Sequence, residues 1–266
     1  MATEPHVKLS IRDLGHNFGA FQALDQVSLD IKDGEFVCIL GASGCGKSTL
    51  FNAVSGLLKP TAGHILLDGQ DIAAKPGQVG YMLQKDLLLP WRTVLGNITL
   101  GASLTRGATG ADRERAAELA RRYGLGEFLR HYPRALSGGM RQRVALMRTI
   151  AAGREVMLLD EPFGALDSQT RIGMQQWLLD IWKEMKRTVM FVTHDVDEAI
   201  FLADRVVVML PRPGRIGWIL DIAIPRPRAM DCLTSETFVE IKRRIMEMLY
   251  SQATLHGVHS PMAVPA

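Results

Sequence analysis

The stretch Phe36-Val37-Cys38-Ile39-Leu40-Gly41-Ala42-Ser43-Gly44-Cys45-Gly46-Lys47-Ser48-Thr49 changes character twice. Its first five residues form a continuous apolar run, the pattern of a strand buried on both faces. A glycine-rich loop follows, and Lys47 to Leu58 then reads as a helix stopped by Lys59-Pro60. Gly41 to Ser48 matches G-x-x-x-x-G-K-[ST] in the strand–loop–helix setting that the motif requires. At this composition on the order of 0.01 such matches would arise by chance in a chain of this length. Glycines let backbone N–H groups converge on phosphate oxygens, and the helix N-terminus adds positive potential. Lys47 supplies a point charge to the β- and γ-phosphates, and the Ser48 hydroxyl is a candidate Mg²⁺ ligand. Residues Gly41 to Thr49 are thus candidate nucleotide-binding residues.

Upstream, Val7, Leu9 and Ile11 share one strand face, as do Val27, Leu29 and Ile31. Asp33-Gly34 marks a tight turn, and residues 62–69 read as a further strand and turn. Between about 86 and 154 the texture is helical, with Ala116, Leu119, Ala120 and Tyr123 on one stripe. Val156 to Leu159 is a second doubly buried strand. Ile172 to Lys186 and Val196 to Ala203 read as helices, Val189 to Thr193 and Val206 to Leu210 as strands. This alternation predicts an α/β fold with a mostly parallel sheet and helices packed on it. Residues 211–228 hold four arginines and four prolines and read as an irregular strand-and-loop extension. Phe238, Ile241, Ile245, Met248 and Leu249 fit one helical face, and from Ser251 onward a disordered tail is expected.

The chain has 266 residues, enough for one large domain or two small ones. Hydrophobic residues make up 47% and charged residues 22%, which argues against a disordered chain. A net charge of +3 is too small to imply a nucleic-acid partner. Cys38, Cys45 and Cys232 lack zinc spacing, and so sparse a set fits a reducing compartment. The N-terminus lacks the apolar core of a signal peptide, and no apolar run approaches membrane-spanning length.

Two further motifs carry chemistry. Val156-Met157-Leu158-Leu159-Asp160-Glu161 delivers two carboxylates at the C-terminal edge of a buried strand, where ligands bind in open α/β sheets. Asp160 is placed to hold Mg²⁺, usually through water, and Glu161 to polarise an attacking water. In Leu136-Ser137-Gly138-Gly139-Met140-Arg141-Gln142, a serine and two glycines precede a helix from about 140 to 151. That offers a second anion site, although a plain serine N-cap accounts for the same residues.

The segment LSGGMRQ resembles the signature sequence of ATP-binding cassette (ABC) ATPases. The loop at 41–49, VMLLDE at 156–161 and Thr193-His194-Asp195 match that family in order and spacing over about residues 7–215. The resemblance implies a P-loop ATPase fold of the ABC type. Its ATP-binding RecA-like core, with an antiparallel β part, would span 7–85 and 155–215, and a helical signature subdomain 86–154. A short C-terminal extension, 216–250, and the tail, 251–266, would follow. It also implies ATP and Mg²⁺ as ligands and a head-to-tail dimer, in which Ser137, Gly138 and Gly139 meet the γ-phosphate held by the partner. Gln84 resembles the Q-loop glutamine that touches Mg²⁺ or the attacking water. His194 resembles the switch histidine that contacts γ-phosphate, and Ala165-Leu166-Asp167 resembles the D-loop. Phe18 stands where the family has a ring stacking on adenine, usually tyrosine; Phe21 is close enough to be the alternative, and a core role is open to either.

Residues 87–98, LLLPWRTVLGNI, fall where the family builds a groove for a helix of the membrane subunit, although an apolar stretch around Trp91 is also compatible with core. This segment and the helix holding Trp177 and Trp182 most resemble the nitrate, sulfonate and taurine importer group. The resemblance therefore implies an ATPase subunit of a bacterial importer, peripheral on the cytoplasmic face of the inner membrane. It would work with a separate permease and, indirectly, a substrate-binding protein. An exporter subunit or a non-transport ABC ATPase is the alternative. Cys45, beside Lys47 and a helix N-terminus, is expected to have a lowered thiol pKa and to react with maleimide unless MgATP protects it; a thiol packed under the loop and inert to reagents is the alternative. Cys38, mid-strand, is expected to be inert.

Overall fold

The computed structural model describes residues 6–164 and 166–255; side-chain surroundings are described as far as residue 250. Its centre is the strand that precedes the glycine-rich loop. This strand, β3 (Phe36–Gly41), is buried along its whole length, as its uninterrupted apolar run requires. It pairs in parallel with β8 (Thr188–Val192) on one side and β9 (Arg205–Leu210) on the other. β7 (Val156–Asp160) lies beyond β8, and β6 (Gly80–Met82) forms the edge. The opposite edge is β10 (Arg215–Asp221), antiparallel to β9, so the six-stranded order is β10-β9-β3-β8-β7-β6.

A second, antiparallel sheet has the order β2-β1-β4-β5, from β1 (Val7–Phe18), β2 (Phe21–Lys32), β4 (Ala62–Leu67) and β5 (Gln70–Asp71). Leu9, Ile11, Val27, Leu29 and Ile31 turn inward and pack with Val37, Ile39, Phe51 and Val207. In β2 the alternation from Val27 to Lys32 is that of one face buried and one facing outward, whereas in β1 Val7 is exposed and Lys8 and Ser10 are buried beside Leu9 and Ile11, with Lys8 paired to Asp68 and Glu155.

The helix after the loop, α1 (Lys47–Val54), ends sooner than Lys59-Pro60 implies. Gly56 adopts φ +78, and a Cβ there would lie 2.5 Å from the Lys75 backbone. The chain leaves the helix to pass that close contact, so a glycine rather than the proline sets the end.

Between β6 and β7 come α2 (Val94–Ile98), α3 (Leu100–Thr105), α4 (Gly110–Arg122) and α5 (Gly138–Ala151). Ala116 and Ala120 are buried as expected, while Leu119 and Tyr123 are only partly buried against the same core. α4 opens with a capping box between Thr109 and Asp112, worth about 1 kcal/mol. α6 (Ser168–Met185) and α7 (Val196–Leu202) complete the layers on the large sheet.

The C-terminal extension is fastened by one buried arginine. Arg228, 3% exposed, donates to the carbonyls of Ile200, Phe201 and Ala203 at 2.6–3.1 Å and to those of Ile222 and Ile224 at 3.1–3.3 Å. Burial, with the neighbouring Arg226 charge second, pushes its pKa down to about 10. The guanidinium thus caps the carbonyl end of α7 and holds the chain after β10. α8 (Glu236–Leu255) then packs Phe238, Ile241 and Ile245 into the core. It passes the Ser251 boundary where a tail was expected. Residues 256–266 of that tail lie outside the described residues, as does Ala165 of the expected D-loop.

Candidate functional site

The loop at 41–46 leaves the C-terminal end of β3, at the middle of the sheet. Gly44 and Gly46 have φ +77 and +95, and a Cβ on Gly46 would lie 2.8 Å from Leu24 Cδ2 and 3.0 Å from the Ala23 carbonyl oxygen. Only glycine allows both the left-handed turn and that approach. Lys47 is 8% exposed, and its ammonium donates to the carbonyls of Gly41 at 2.7 Å and Ala42 at 3.0 Å. Its charge is thereby fixed at the mouth of the loop.

Cys45 does not behave as its sequence address implies. It is fully buried, with Sγ 3.7 Å from the Lys47 ammonium and packed beneath Gly41. Burial raises its thiol pKa, and the opposing Lys47 charge does not overcome that. The side chain is a packing element under the loop and offers a reagent no access. Cys38 is also fully buried and its pKa is raised well above the usual value, chiefly by burial.

β7 ends in Asp160, 7% exposed. Burial first, and the adjacent Glu161 charge second, raise its pKa; hydrogen bonds from Tyr81 and Ser48 and the Lys47 charge oppose this. The Tyr81 hydroxyl stands 3.4 Å from Asp160 Oδ2 and 3.3 Å from Asn52 Oδ1. Glu161 sits at φ +45, an uncommon conformation for a non-glycine residue and one often found at functional positions. Its backbone N–H donates to the Val192 carbonyl at 2.9 Å. Its Oε2 accepts from Gln84 Nε2 at 3.0 Å and lies 3.5 Å from His194 Nδ1. Gln84, Glu161 and His194 come from the ends of β6, β7 and β8, far apart in the chain, and the parallel order brings them together.

These three residues, Gly41, Ser43, Gly44, Gly46, Lys47, Ser48 and Thr49 line one groove of about 640 Å³. Phe18 and Phe21, both about half exposed, close its other end. Neither ring is core, so stacking is open to both. His16, 6% exposed, meets the Phe18 ring edge-on at 4.5 Å between centroids. A second cavity of about 630 Å³ lies among α3, α4 and the ends of α5 and α6. Its acids are already paired, Asp112 with Arg106 and Arg115 and Glu184 with Arg122, which leaves no free carboxylate for acid–base work.

Ser137, Gly138 and Gly139 do not line the nucleotide-sized groove. Ser137 is the exposed N-cap of α5 and accepts from the Met140 N–H at 3.3 Å. A Cβ on Gly139 would lie 3.3 Å from Thr170 Cγ2 and 3.5 Å from Leu166 Cδ2, so the serine–glycine turn abuts the start of α6. Asp167 caps α6 by accepting from the Thr170 N–H at 3.0 Å.

Three contributors were not evident in the sequence. Asn97, fully buried, donates to the carbonyls of Leu89, Arg92 and Thr93 at 3.1–3.2 Å and accepts from the Leu89 N–H at 2.8 Å. This holds residues 89–93 as a compact loop with Trp91 72% exposed, so Trp91 is not core. Arg148 donates to the carbonyls of Asp86 at 2.6 Å and Leu87 at 2.8 Å, fastening the segment after Gln84 to α5. Arg212 lies on the wall of the groove. A polar residue inside an apolar helix start was the one local sign of Asn97; the two arginines had none.

Residues 24–164 match the family described as ABC transporter. The chain belongs to that family. It is an ATPase of the ABC type. A taurine import ATP-binding protein of Rhizobium johnstonii is 44% identical over 240 residues, covering 88% of this chain and 92% of that protein. A nitrate import ATP-binding protein of Synechococcus elongatus is 42% identical over 236 residues, covering 87% and 86%. A bacterial ABC transporter cassette solved as a dimer superposes with a TM-score of 0.72 at 32% identity, covering 82% of this chain and all of that one. Among the described residues of this ABC cassette, no helix is long and apolar enough to cross a membrane.

Proposed function

We propose that this cassette hydrolyses ATP to drive uptake of a small solute of the taurine, nitrate or sulfonate kind through a separate permease. The observation that carries the hydrolytic part is the convergence of Gln84 and His194 on one oxygen of Glu161, in the groove that Lys47 also lines. Glu161 is the general base, taking a proton from the attacking water. Gln84 orients that water, and His194 faces the transferred γ-phosphoryl group. Lys47 and the N–H groups of the loop neutralise the phosphates. Phe18 stacks on adenine, with Phe21 beside it.

Mg²⁺ fits the residues present. The Ser48 hydroxyl and Asp160 carboxylate are hard oxygen donors in hydrogen-bond contact, and the charge of Glu161 next to buried Asp160 is the excess that a divalent cation offsets. Ser48, Asp160 and Gln84 would hold it, Asp160 partly through water, and the ion would neutralise charge on the β- and γ-phosphates.

The exposed signature turn supports a head-to-tail dimer of two copies, each presenting Ser137, Gly138 and Gly139 to the other's nucleotide. Closure by ATP then follows from tighter binding to the closed state than to the open one. The docking surface for the permease includes Trp91, on the loop that Asn97 holds, and Leu87, whose carbonyl Arg148 holds, both exposed. The cassette would sit peripherally on the cytoplasmic face of the membrane, with the substrate-binding protein acting only through the permease.

The test is reconstitution with its permease and binding protein in vesicles, reading ATP-dependent uptake of labelled taurine, nitrate and an alkanesulfonate. Uptake of one of them, lost in Glu161→Gln, supports the reading. ATP hydrolysis that drives outward movement instead would overturn import.

A further inference from the structure

Arg212 lies outside every motif so far described, yet it lines the nucleotide groove. A methyl group built on Gly44, at the crown of the phosphate loop, would lie 3.8 Å from Arg212 Nη2. The guanidinium therefore stands beside the crown of the same loop whose Gly41 and Ala42 carbonyls hold Lys47. It is exposed, and among the described residues it makes no ion pair or hydrogen bond, in contrast to Arg205, Arg215 and Arg226 nearby, which pair with Glu35, Asp25 and Asp204.

The backbone under it is held firmly. Arg212 is at the tip of the β9–β10 hairpin, and two residues on, Gly214 donates to the Ala23 carbonyl at 3.0 Å and accepts from the Asp25 N–H at 3.0 Å. A Cβ on Gly214 would lie 2.3 Å from the Cys45 carbonyl oxygen, so the hairpin tip touches the phosphate loop itself. Arg215 adds an ion pair to Asp25. Arg212 also has φ +35, a strained setting for a side chain as long as arginine. A surface cation with no task would not need a tip stitched to two other segments and a left-handed backbone to aim it.

We propose that Arg212 is a second phosphate-binding cation of the site, contacting the nucleotide's polyphosphate from the solvent side while Lys47 contacts it from within the loop. This rests on the nucleotide reading of the groove. A guanidinium suits the task because it donates in a fixed fork to phosphate oxygens without leaving a buried charge when the nucleotide departs.

Arg212→Asn is the first variant, because asparagine tolerates positive φ and keeps the hairpin tip. It should raise KM for ATP about tenfold, the scale of one charge-assisted hydrogen bond, with kcat changed by less than about twofold. Arg212→Lys should recover part of the loss. In the unaltered protein, phenylglyoxal should modify Arg212, mapped by mass spectrometry, and ADP or ATP should protect it while adenosine does not. Unchanged KM in Arg212→Asn, or modification of Arg212 unaffected by ADP and ATP, overturns the proposal. Lys47→Ala run alongside separates the two readings: if it too keeps full ATP affinity, the groove is not the nucleotide site at all.

Discussion

Asp86 Oδ2 accepts a hydrogen bond from Arg141 Nε at 3.1 Å, which joins the segment just after Gln84 to the helix that begins with Ser137. Arg141 also donates to the Leu136 carbonyl at 2.9 Å, so one side chain spans the start of α5 and the loop. Gln84 and the Ser137–Gly139 turn therefore share a mechanical link.

That link is mostly one of position. The Asp86–Arg141 pair is about one-third exposed on each side, so Asp86→Ala should cost only about 0.5 kcal/mol. Arg148→Ala, which removes two charge-assisted bonds to backbone carbonyls, should cost about 2 kcal/mol. Chemical denaturation of both variants checks the order. Steady-state ATPase activity should fall in both, because each loosens Gln84 relative to α5.

Glu161→Gln should keep nucleotide binding and lower turnover by roughly 10²–10⁴-fold, the scale of a general base. The amide still reaches Gln84 in size, so the groove keeps its shape. Calorimetric ATP binding and phosphate release, measured on the same preparation, decide it; near-normal turnover would remove Glu161 from the role.

Asp160→Asn should stabilise the nucleotide-free protein at neutral pH. The carboxyl pKa is raised in the folded state, chiefly by burial, so the folded state binds more protons than the unfolded one between the two pKa values. Its unfavourable contribution is absent below the unfolded pKa, grows as pH rises through that window, and is full at pH 7. Thermal melts should show a higher Tm for the variant at pH 7 and a smaller gap near pH 4, together with loss of the extra stabilisation that MgATP confers on the parent.

Cys45 should resist maleimide in the native protein with or without MgATP, because its sulfur is enclosed and its thiolate disfavoured. Cys232, only partly buried, should be the first thiol labelled. Mass mapping of alkylated peptides reads this directly, and nucleotide-protected labelling of Cys45 would contradict the structure.

Trp91→Glu should change stability by no more than about 0.5 kcal/mol, as for other surface positions, and leave ATP binding intact. Co-purification with the permease should be lost. Asn97→Ala gives the companion result: losing a buried amide that serves three carbonyls should cost about 2 kcal/mol and weaken docking by releasing the loop.

What the sequence by itself determined is what neighbouring residues dictate to one another. The apolar runs at 36–40 and 156–159 specify strands buried on both faces, and the glycines between Gly41 and Gly46 specify a turn that only they can make. The spacing of Ser137 from α5 specifies its cap. Periodicity and backbone dihedral limits act over a few residues, so they are readable without a fold. The tertiary structure alone decided which side of a loop a side chain takes and which distant segments meet. Cys45 lies beneath the loop rather than in it because Gly41 and Lys47 occupy the space above its sulfur. α1 ends at Val54 because the Lys75 backbone crosses at Gly56, and α8 continues past Ser251 although its local periodicity fades. Gln84, Glu161 and His194 meet because β6, β7 and β8 are adjacent, and Arg212 joins them because Gly214 pairs with β2. Such meetings depend on strand order and on close packing between segments separated in the chain, and no local pattern carries that information.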